Sequence, residues 1–572
     1  MAAYDLVQPF RRFIDLLKVD KSEIGSIYVY ALFNGIVSLS LPLGIQAIIN
    51  LISGGQVTTS WVVLVSLVIL GVAGAGVLQV LQLSISENIQ QKIFTRSAFE
   101  FAYRIPRMNL EATDQTYIPE LVNRFFDTLS VQKGLSKILM DVSSASLQVI
   151  FGLVLLSFYH PFFILFSLIL LFIIYLIFIL TGPKGLKTSL NESEKKYQVV
   201  HWLDEIGRTM ETFKLAGSSP LPMQKTDEYV VGYLTARKAH FRTLVIQFIN
   251  LIGFKVLVAA GLLIIGGLLV INQQMNIGQF VASEIIIILV MNSVEKLVMS
   301  METIYDVLTA LEKIGYVTDI PLDRKTGTPM DLKQTAAIGI RAKDLTYRFK
   351  GDKLPVLTDI NLAIEPGDKV CISGVNAAGK SILLQVLAGL YDEIEGSLNY
   401  NGEPFGRWCK QDLHTAMGDN LANEDIFQGT ISENISLGKS GISIVDIRDA
   451  SIIVGLDTYV ESLSLGYGTV LLSEGNGLPK SVRLRIMLAR CIVGSPKLVL
   501  LEDNFNRLVT SDKERFLQHL KSQPWTAIVI SNELNVAKMF DRAVVLENGQ
   551  IISDRPVSEM VDYPWFDNVF HN

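Results

Sequence analysis

The chain has 572 residues, 49% hydrophobic and only 19% charged, with a formal net charge of −6. So apolar a composition excludes an ordinary soluble enzyme, the length calls for several domains, and the charge balance gives no footprint for nucleic acid. The three cysteines, Cys371, Cys409 and Cys491, lack metal-ligand spacing and imply a reduced, cytosolic setting for the last third.

The opening MAAYDLVQPFRRFIDLLKVDKSE is polar and basic. It lacks the pattern of a cleavable signal peptide and predicts an elbow lying on the membrane surface. No Asp, Glu, Lys or Arg occurs from Ile24 to Ser86, nor from Val142 to Pro183. Each run accommodates two membrane helices of about 20 residues and a tight turn. A third apolar region, Thr243 to Met301, is broken by Lys255, Glu284, Glu295 and Lys296 and predicts a further pair, six spans in all. The turns at 53–60, 158–161 and 272–276 carry no charge, whereas 87–141 and 184–242 are rich in Lys and Arg. Basic segments stay inside, so both termini are expected in the cytoplasm.

The two inner segments have helical periodicity and few turn signals, so the spans should run on as helices well into the cytosol. Their tips, NLEATDQTYIPELVNRF (109–125) and EIGRTMETFKLAGSS (205–219), suggest short transverse helices that press on a soluble domain. Within the spans, Glu284 is either a pathway or gating group or a structural hydrogen-bonder between helices. Lys255 should snorkel to the inner interface, and Pro42 should kink the first span. Asn34 and Gln46 either line a cavity or pack between helices.

The fold class expected is multidomain: an all-α six-span transmembrane domain (1–319), a linker rich in proline and charge (320–337), and an α/β P-loop domain (338–565). In the last, short β-rich runs such as KVCISG, KLVLL and TAIVIS alternate with helical stretches. GVNAAGKS (374–381) follows one such strand and opens a helix. In that context the backbone of Gly374, Val375, Asn376, Ala377, Ala378 and Gly379 cradles phosphates, Lys380 reaches the outer ones, and Ser381 ligates Mg²⁺. The helix dipole adds to this, so the cofactors expected are ATP and Mg²⁺.

NEDIFQGTISENI (423–435) and LVLLEDNFN (498–506) then follow in the order and spacing of an ABC-transporter nucleotide-binding domain. Six spans fused to one such domain resemble a half-transporter of the type I exporter kind over nearly the whole chain. ALFNGIVSLSLPLGIQAIIN and IGQFVASEIIIILV resemble bacterial exporters of peptides, bacteriocins and proteins, without the N-terminal peptidase module some of them carry. The resemblance implies a second half-transporter chain as partner, in a homodimer or a heterodimer. It places the pair in the lipid bilayer of the bacterial cytoplasmic (inner) membrane, with ATP clamped between the P-loop of one chain and the signature loop of the other. Likeness to secretion exporters adds a periplasmic adaptor protein as a further possible partner.

Against that family pattern several positions depart. The adenine-stacking aromatic falls at Phe349, with Tyr347 the alternative. Ala377 replaces a P-loop glycine. Ala422 stands where the family has a glutamine, with the amides of Asn420 and Asn423 nearby. The signature LSGGQ reads LPKSV (478–482), where Ser481 remains as a nucleotide contact, Pro479 removes an N–H donor, and Lys480 adds bulk and either attracts phosphate or, the simpler reading, is a solvated surface lysine. Glu502 takes the place of the Mg²⁺-shell aspartate and would act through water. Asp503 is a weak substitute for the catalytic glutamate, its carboxylate falling short by about 1–1.5 Å, and a 1 Å misplacement costs around 10²-fold in rate. NRLV (506–509) replaces SALD, and Asn532 occupies the switch-histidine position. The expectation is a site that holds ATP and splits it slowly in either dimer, because acid and signature loop are altered in one chain. The alternative is a non-catalytic, nucleotide-sensing or scaffold subunit of a transporter or secretion assembly.

Overall fold

The computed structural model describes residues 7–53, 59–114, 116–324, 327–329, 335–421, 426–502 and 505–571. The chain divides into two compact units, Met1–Pro106 with Thr116–Ile320, and Arg107–Gln115 with Pro321–Asn572.

The first unit contains six helical stretches long and apolar enough to cross a membrane: Lys21–Ile52, Thr59–Arg107, Ile118–Ser157, Pro161–Arg208, Leu221–Ile271 and Ile277–Thr318. Their lengths follow from the sequence: each apolar run continues into a charged, turn-poor segment that keeps helical hydrogen bonding once it leaves lipid. The expected outer turn at 53–60 falls largely outside the described residues. The first span breaks at Leu39, between helices Lys21–Ser38 and Ser40–Ser53. Pro42, whose ring cannot sit against the carbonyl of the fourth residue before it, explains the break. Pro161 opens the fourth span at the position where a missing N–H costs nothing, and His160 caps it by accepting from the Phe162 amide at 3.2 Å. Asn276 and Gln279 form a capping box at the start of the sixth.

Without a hydrophobic drive between helices in lipid, close packing rests on small residues. A Cβ on Gly185 would lie 2.3 Å from the Tyr305 ring, and one on Gly134 2.3 Å from Val307. The elbow, Val7–Val19, is fastened to the sixth helix through Arg12, which pairs with Glu312 and, at 2.5 Å, with Asp319. The second inner tip is the short helix Met210–Leu215.

In the second unit a six-stranded sheet runs in the order Gln550–Arg555, Arg542–Glu547, Lys369–Gly374, Thr526–Ile530, Leu498–Leu501, Met417–Asp419. Only the edge pair Arg542–Glu547 with Gln550–Arg555 is antiparallel. The central strands are buried on both faces, which is why they read as unbroken apolar runs. A second, antiparallel sheet places Ile340–Tyr347 between Leu357–Ile364 and Glu395–Tyr400. Arg107–Gln115, the neighbourhood of the first inner tip, belongs to this unit rather than to the helices that flank it in sequence. Residues 325–326 and 330–334 of the expected linker lie outside the described residues.

Candidate nucleotide site

Strand Lys369–Gly374 delivers the phosphate loop and helix Lys380–Leu387 receives it. Gly374 has φ +151°, and a Cβ there would lie 2.2 Å from the Leu546 carbonyl oxygen, so the turn off the strand admits no side chain. Gly379 takes φ +95° at the helix entrance. Ala377 takes φ +63°, a left-handed conformation costing a non-glycine residue about 1 kcal/mol or more. Losing the family glycine here is therefore a strain, not a neutral exchange.

Lys380 folds back over the loop, its Nζ donating to the carbonyls of Gly374 at 2.6 Å and Val375 at 2.9 Å. Burial holds its ammonium below the ordinary lysine range. Val375, Asn376 and Ala377 face solvent, as does Ser381 on the first turn of the helix, so loop amides and hydroxyl are open to a ligand. Of the two candidate base-stacking aromatics, Tyr347 is only 2% exposed and packs 4.6 Å from the Tyr391 ring. Phe349 is half-buried, edge-on to Tyr347 at 5.3 Å, and offers the accessible face.

The position expected to hold a switch residue is occupied otherwise. Asn532 accepts from the Gly374 amide at 3.1 Å through Oδ1 and donates to the Gly374 carbonyl through Nδ2 at 3.0 Å. Both ends of its amide are thus on the phosphate loop. Asn420 does the same for the acid-ended strand: Oδ1 accepts from the Glu502 amide at 2.6 Å, and Nδ2 donates to the Glu502 carbonyl at 3.1 Å. Its amide fixes backbone, which removes it as a replacement for the missing glutamine. Glu502 is half-buried at the strand end. Asp503, Ala422 and Asn423 lie outside the described residues.

In the expected signature loop, 478–482, Pro479 is the N-cap of helix Lys480–Ile492. Its carbonyl accepts from Val482 at 3.0 Å and Arg483 at 3.1 Å. The proline thus removes a donor at the cap, while Lys480 and half-buried Ser481 supply the amides that a first turn leaves without helical partners.

A network invisible in the sequence lies beside the two candidate aromatics. Asn109 caps helix Leu110–Thr113, and Oε1 of Glu111 accepts from the amides of both Asp392 and Glu393 at 2.7 Å. Buried Lys410 donates to Asp323 at 2.8 Å and Asp392 at 3.3 Å, and Asn109 reaches the same Asp392 at 3.2 Å. Tyr391, its ring tilted against that of Tyr347, immediately precedes these amides, and its hydroxyl is pushed up to about 12 by burial and then by Asp114 and Glu111. No local signal could have found the Asn109 and Glu111 pairings, whose partners are some 280 residues away.

Within the membrane unit, Lys255 pairs with Glu295 on the sixth helix at 2.8 Å. An acceptor on the adjacent span neutralises the ammonium where it stands. Gln46 accepts from the Tyr159 hydroxyl at 2.7 Å and so packs between helices. Oε1 of Glu284 and Oδ1 of Asn34 are buried without a hydrogen-bond partner among the described residues.

Six membrane-capable helices joined to a parallel-sheet unit with a phosphate loop define a membrane-embedded, P-loop nucleotide-binding protein. A family model for the ABC transporter transmembrane region matches residues 24–294, and one for the ABC transporter matches residues 357–506. The chain belongs to the ABC transporters, as an integral membrane protein with an ATP-binding domain. The transport/processing ATP-binding protein ComA of Streptococcus pneumoniae (strain ATCC BAA-255 / R6) is 25% identical over 463 residues, 80% of this chain and 64% of that protein. The alpha-hemolysin translocation ATP-binding protein HlyB of Escherichia coli O157:H7 is 24% identical over 371 residues, 63% of this chain and 51% of that one. The chain therefore spans between half and two thirds of the length of these relatives. In three dimensions it resembles a bacterial Atm1-family ABC exporter with ATP bound, at a TM-score of 0.82 and 16% identity over 95% of this chain and 96% of that chain. That likeness establishes the exporter fold.

Proposed function

We propose that this chain is one half of an ABC exporter of the bacterial inner membrane that binds MgATP and hydrolyses it slowly. Two copies, or this chain and a related one, pair so that nucleotide closes the ATP-binding domains and the inner tips pass the motion to the membrane helices. Differential affinity of ATP for the closed state supplies the switching energy. Uncharged outer turns and basic inner segments support cytoplasmic termini. The name of one relative, an alpha-hemolysin translocation protein, favours a peptide or protein cargo.

The observation carrying the slow-turnover reading is Asn532, whose amide is wholly engaged by Gly374 and so braces the phosphate loop instead of reaching toward a γ-phosphate. Ser381 directly, and Glu502 through water, would hold Mg²⁺, which would screen the phosphate charge. The hydroxyl of Ser381 is exposed and the Glu502 carboxylate half-buried, and both are oxygen donors of the kind Mg²⁺ takes. Phe349 would stack on adenine, and Ser481 would approach the nucleotide held by the partner chain. Asp503 would orient water from too far back.

Titration of the purified chain with MgATP and native mass spectrometry of the product test the proposal. Saturable binding, lost in Lys380→Ala, together with a dimer is expected. Failure to bind nucleotide would refute it. Tight binding without ATP-driven transport in vesicles, whatever partner is added, would leave the scaffold reading in its place.

A further inference from the structure

The loop that carries Asn532 is held from two sides. On one, the Ser531 amide donates to the Ile372 carbonyl at 3.0 Å and the Ser373 hydroxyl donates to the Ser531 carbonyl at 2.6 Å. These bonds fasten the loop to the strand that delivers the phosphate loop. On the other side lies the C-terminal segment. The His571 amide donates to the Asn532 carbonyl at 2.9 Å, and the Leu534 amide donates to the His571 carbonyl at 2.8 Å, a parallel bridge between Glu533 and His571.

The bridge is anchored on both strands. Phe566, Val569 and Phe570 are buried in the apolar cluster that also takes Val536, Ala537 and Phe540, and the Phe566 and Phe570 rings meet at 4.9 Å. Leu534 opens helix Leu534–Ala537, so its amide is one that the helix leaves without an acceptor, and His571 supplies it. Consecutive residues of an extended segment face opposite ways. Glu533 turns to Lys513, while Asn532 turns to Gly374 and clasps it. The His571 backbone thus fixes the peptide from which Asn532 reaches the phosphate loop.

We propose that residues 566–571 form a strap that positions Asn532 through the backbone of His571, and so sets the shape of the phosphate loop and its affinity for nucleotide. The effect on affinity rests on the function proposed above, whereas the effect on Gly374 does not.

Three variants of the full-length protein test the strap. His571→Pro removes the N–H given to Asn532, and Phe570, at φ −98° and ψ 132°, already has the backbone that a residue before proline adopts. A chain ending at Phe570 removes both bonds, and His571→Ala keeps both. Hydrogen exchange is read without nucleotide, and MgATP is then titrated. In the first two variants the Gly374 and Leu534 amides should exchange threefold or more faster, relative to those of strand Thr526–Ile530. MgATP affinity should fall about threefold to tenfold, the effect of one or two hydrogen bonds. His571→Ala should match the unaltered chain in both readouts. Unchanged relative exchange at Gly374 in the first two variants overturns the proposal, as does an equal loss in His571→Ala. Unchanged affinity in a chain that binds MgATP also overturns it. An unaltered chain with no affinity for MgATP refutes the proposed function instead, and exchange at Gly374 then decides the strap alone.

Discussion

Asn532 and Asn420 show how one side chain decides what a neighbouring backbone can do. Each uses its amide as a two-pronged clasp, one on Gly374 and one on Glu502. A neutral hydrogen bond contributes about 1 kcal/mol, so Asn532→Ala should weaken ATP binding roughly tenfold in an equilibrium titration. Asn532→His, which restores the family residue, should cost similar affinity without raising turnover, since residues 478–482 and the order of Glu502 and Asp503 stay as they are. A large gain in turnover from that single change would contradict the role of Asn532 as a brace. The phosphate loop itself was legible because its residues are contiguous and flanked by strand and helix. Asn532 could be identified by position alone, while its bonds to Gly374 depend on two adjacent parallel-sheet strands that only the fold brings together. Ala377 was legible as a departure, but its left-handed backbone was not.

Among the elements, the spans were the easiest to read, because charge-free runs in lipid leave few alternatives. Their cytosolic continuations were readable for the same reason in reverse, from the absence of turn residues. Less legible was the allegiance of the first tip. Glu111 docks by backbone amides, and backbone amides carry no sequence signature. Glu111→Ala should free the amides of Asp392 and Glu393, speeding their hydrogen exchange roughly tenfold or more while leaving ATP affinity near normal. Unchanged exchange at both would show that Glu111 does not hold this segment.

The nucleotide-binding unit also contains two histidines whose protonation opposes folding. His414 lies 3.0 Å from the Ala388 carbonyl and His519 against the Trp525 ring, and burial holds both below the ordinary imidazole range. In the unfolded chain they take up protons near pH 6.5, ahead of the folded protein. Stability is therefore lost as pH falls through that value toward the folded pKa. The melting temperature should drop between about pH 7.5 and pH 5.5, and less so in His414→Gln; an equal drop would remove His414 as a cause.

For the whole molecule, the comparisons establish an ABC transporter built on an exporter fold, and the residues of the site set how it is expected to behave. On the proposed reading, the phosphate loop, Lys380, Ser381 and the open face of Phe349 serve nucleotide binding, and the residues proposed to align water and to close the site from a partner chain serve poorly. The most direct measurement is steady-state phosphate release by the purified chain at saturating MgATP, with bound nucleotide counted in the same sample. Near-full occupancy with turnover below roughly 0.1 per second is expected, about 10²-fold under a typical enzyme. Release of ten or more phosphates per second, abolished by Lys380→Ala, would contradict it.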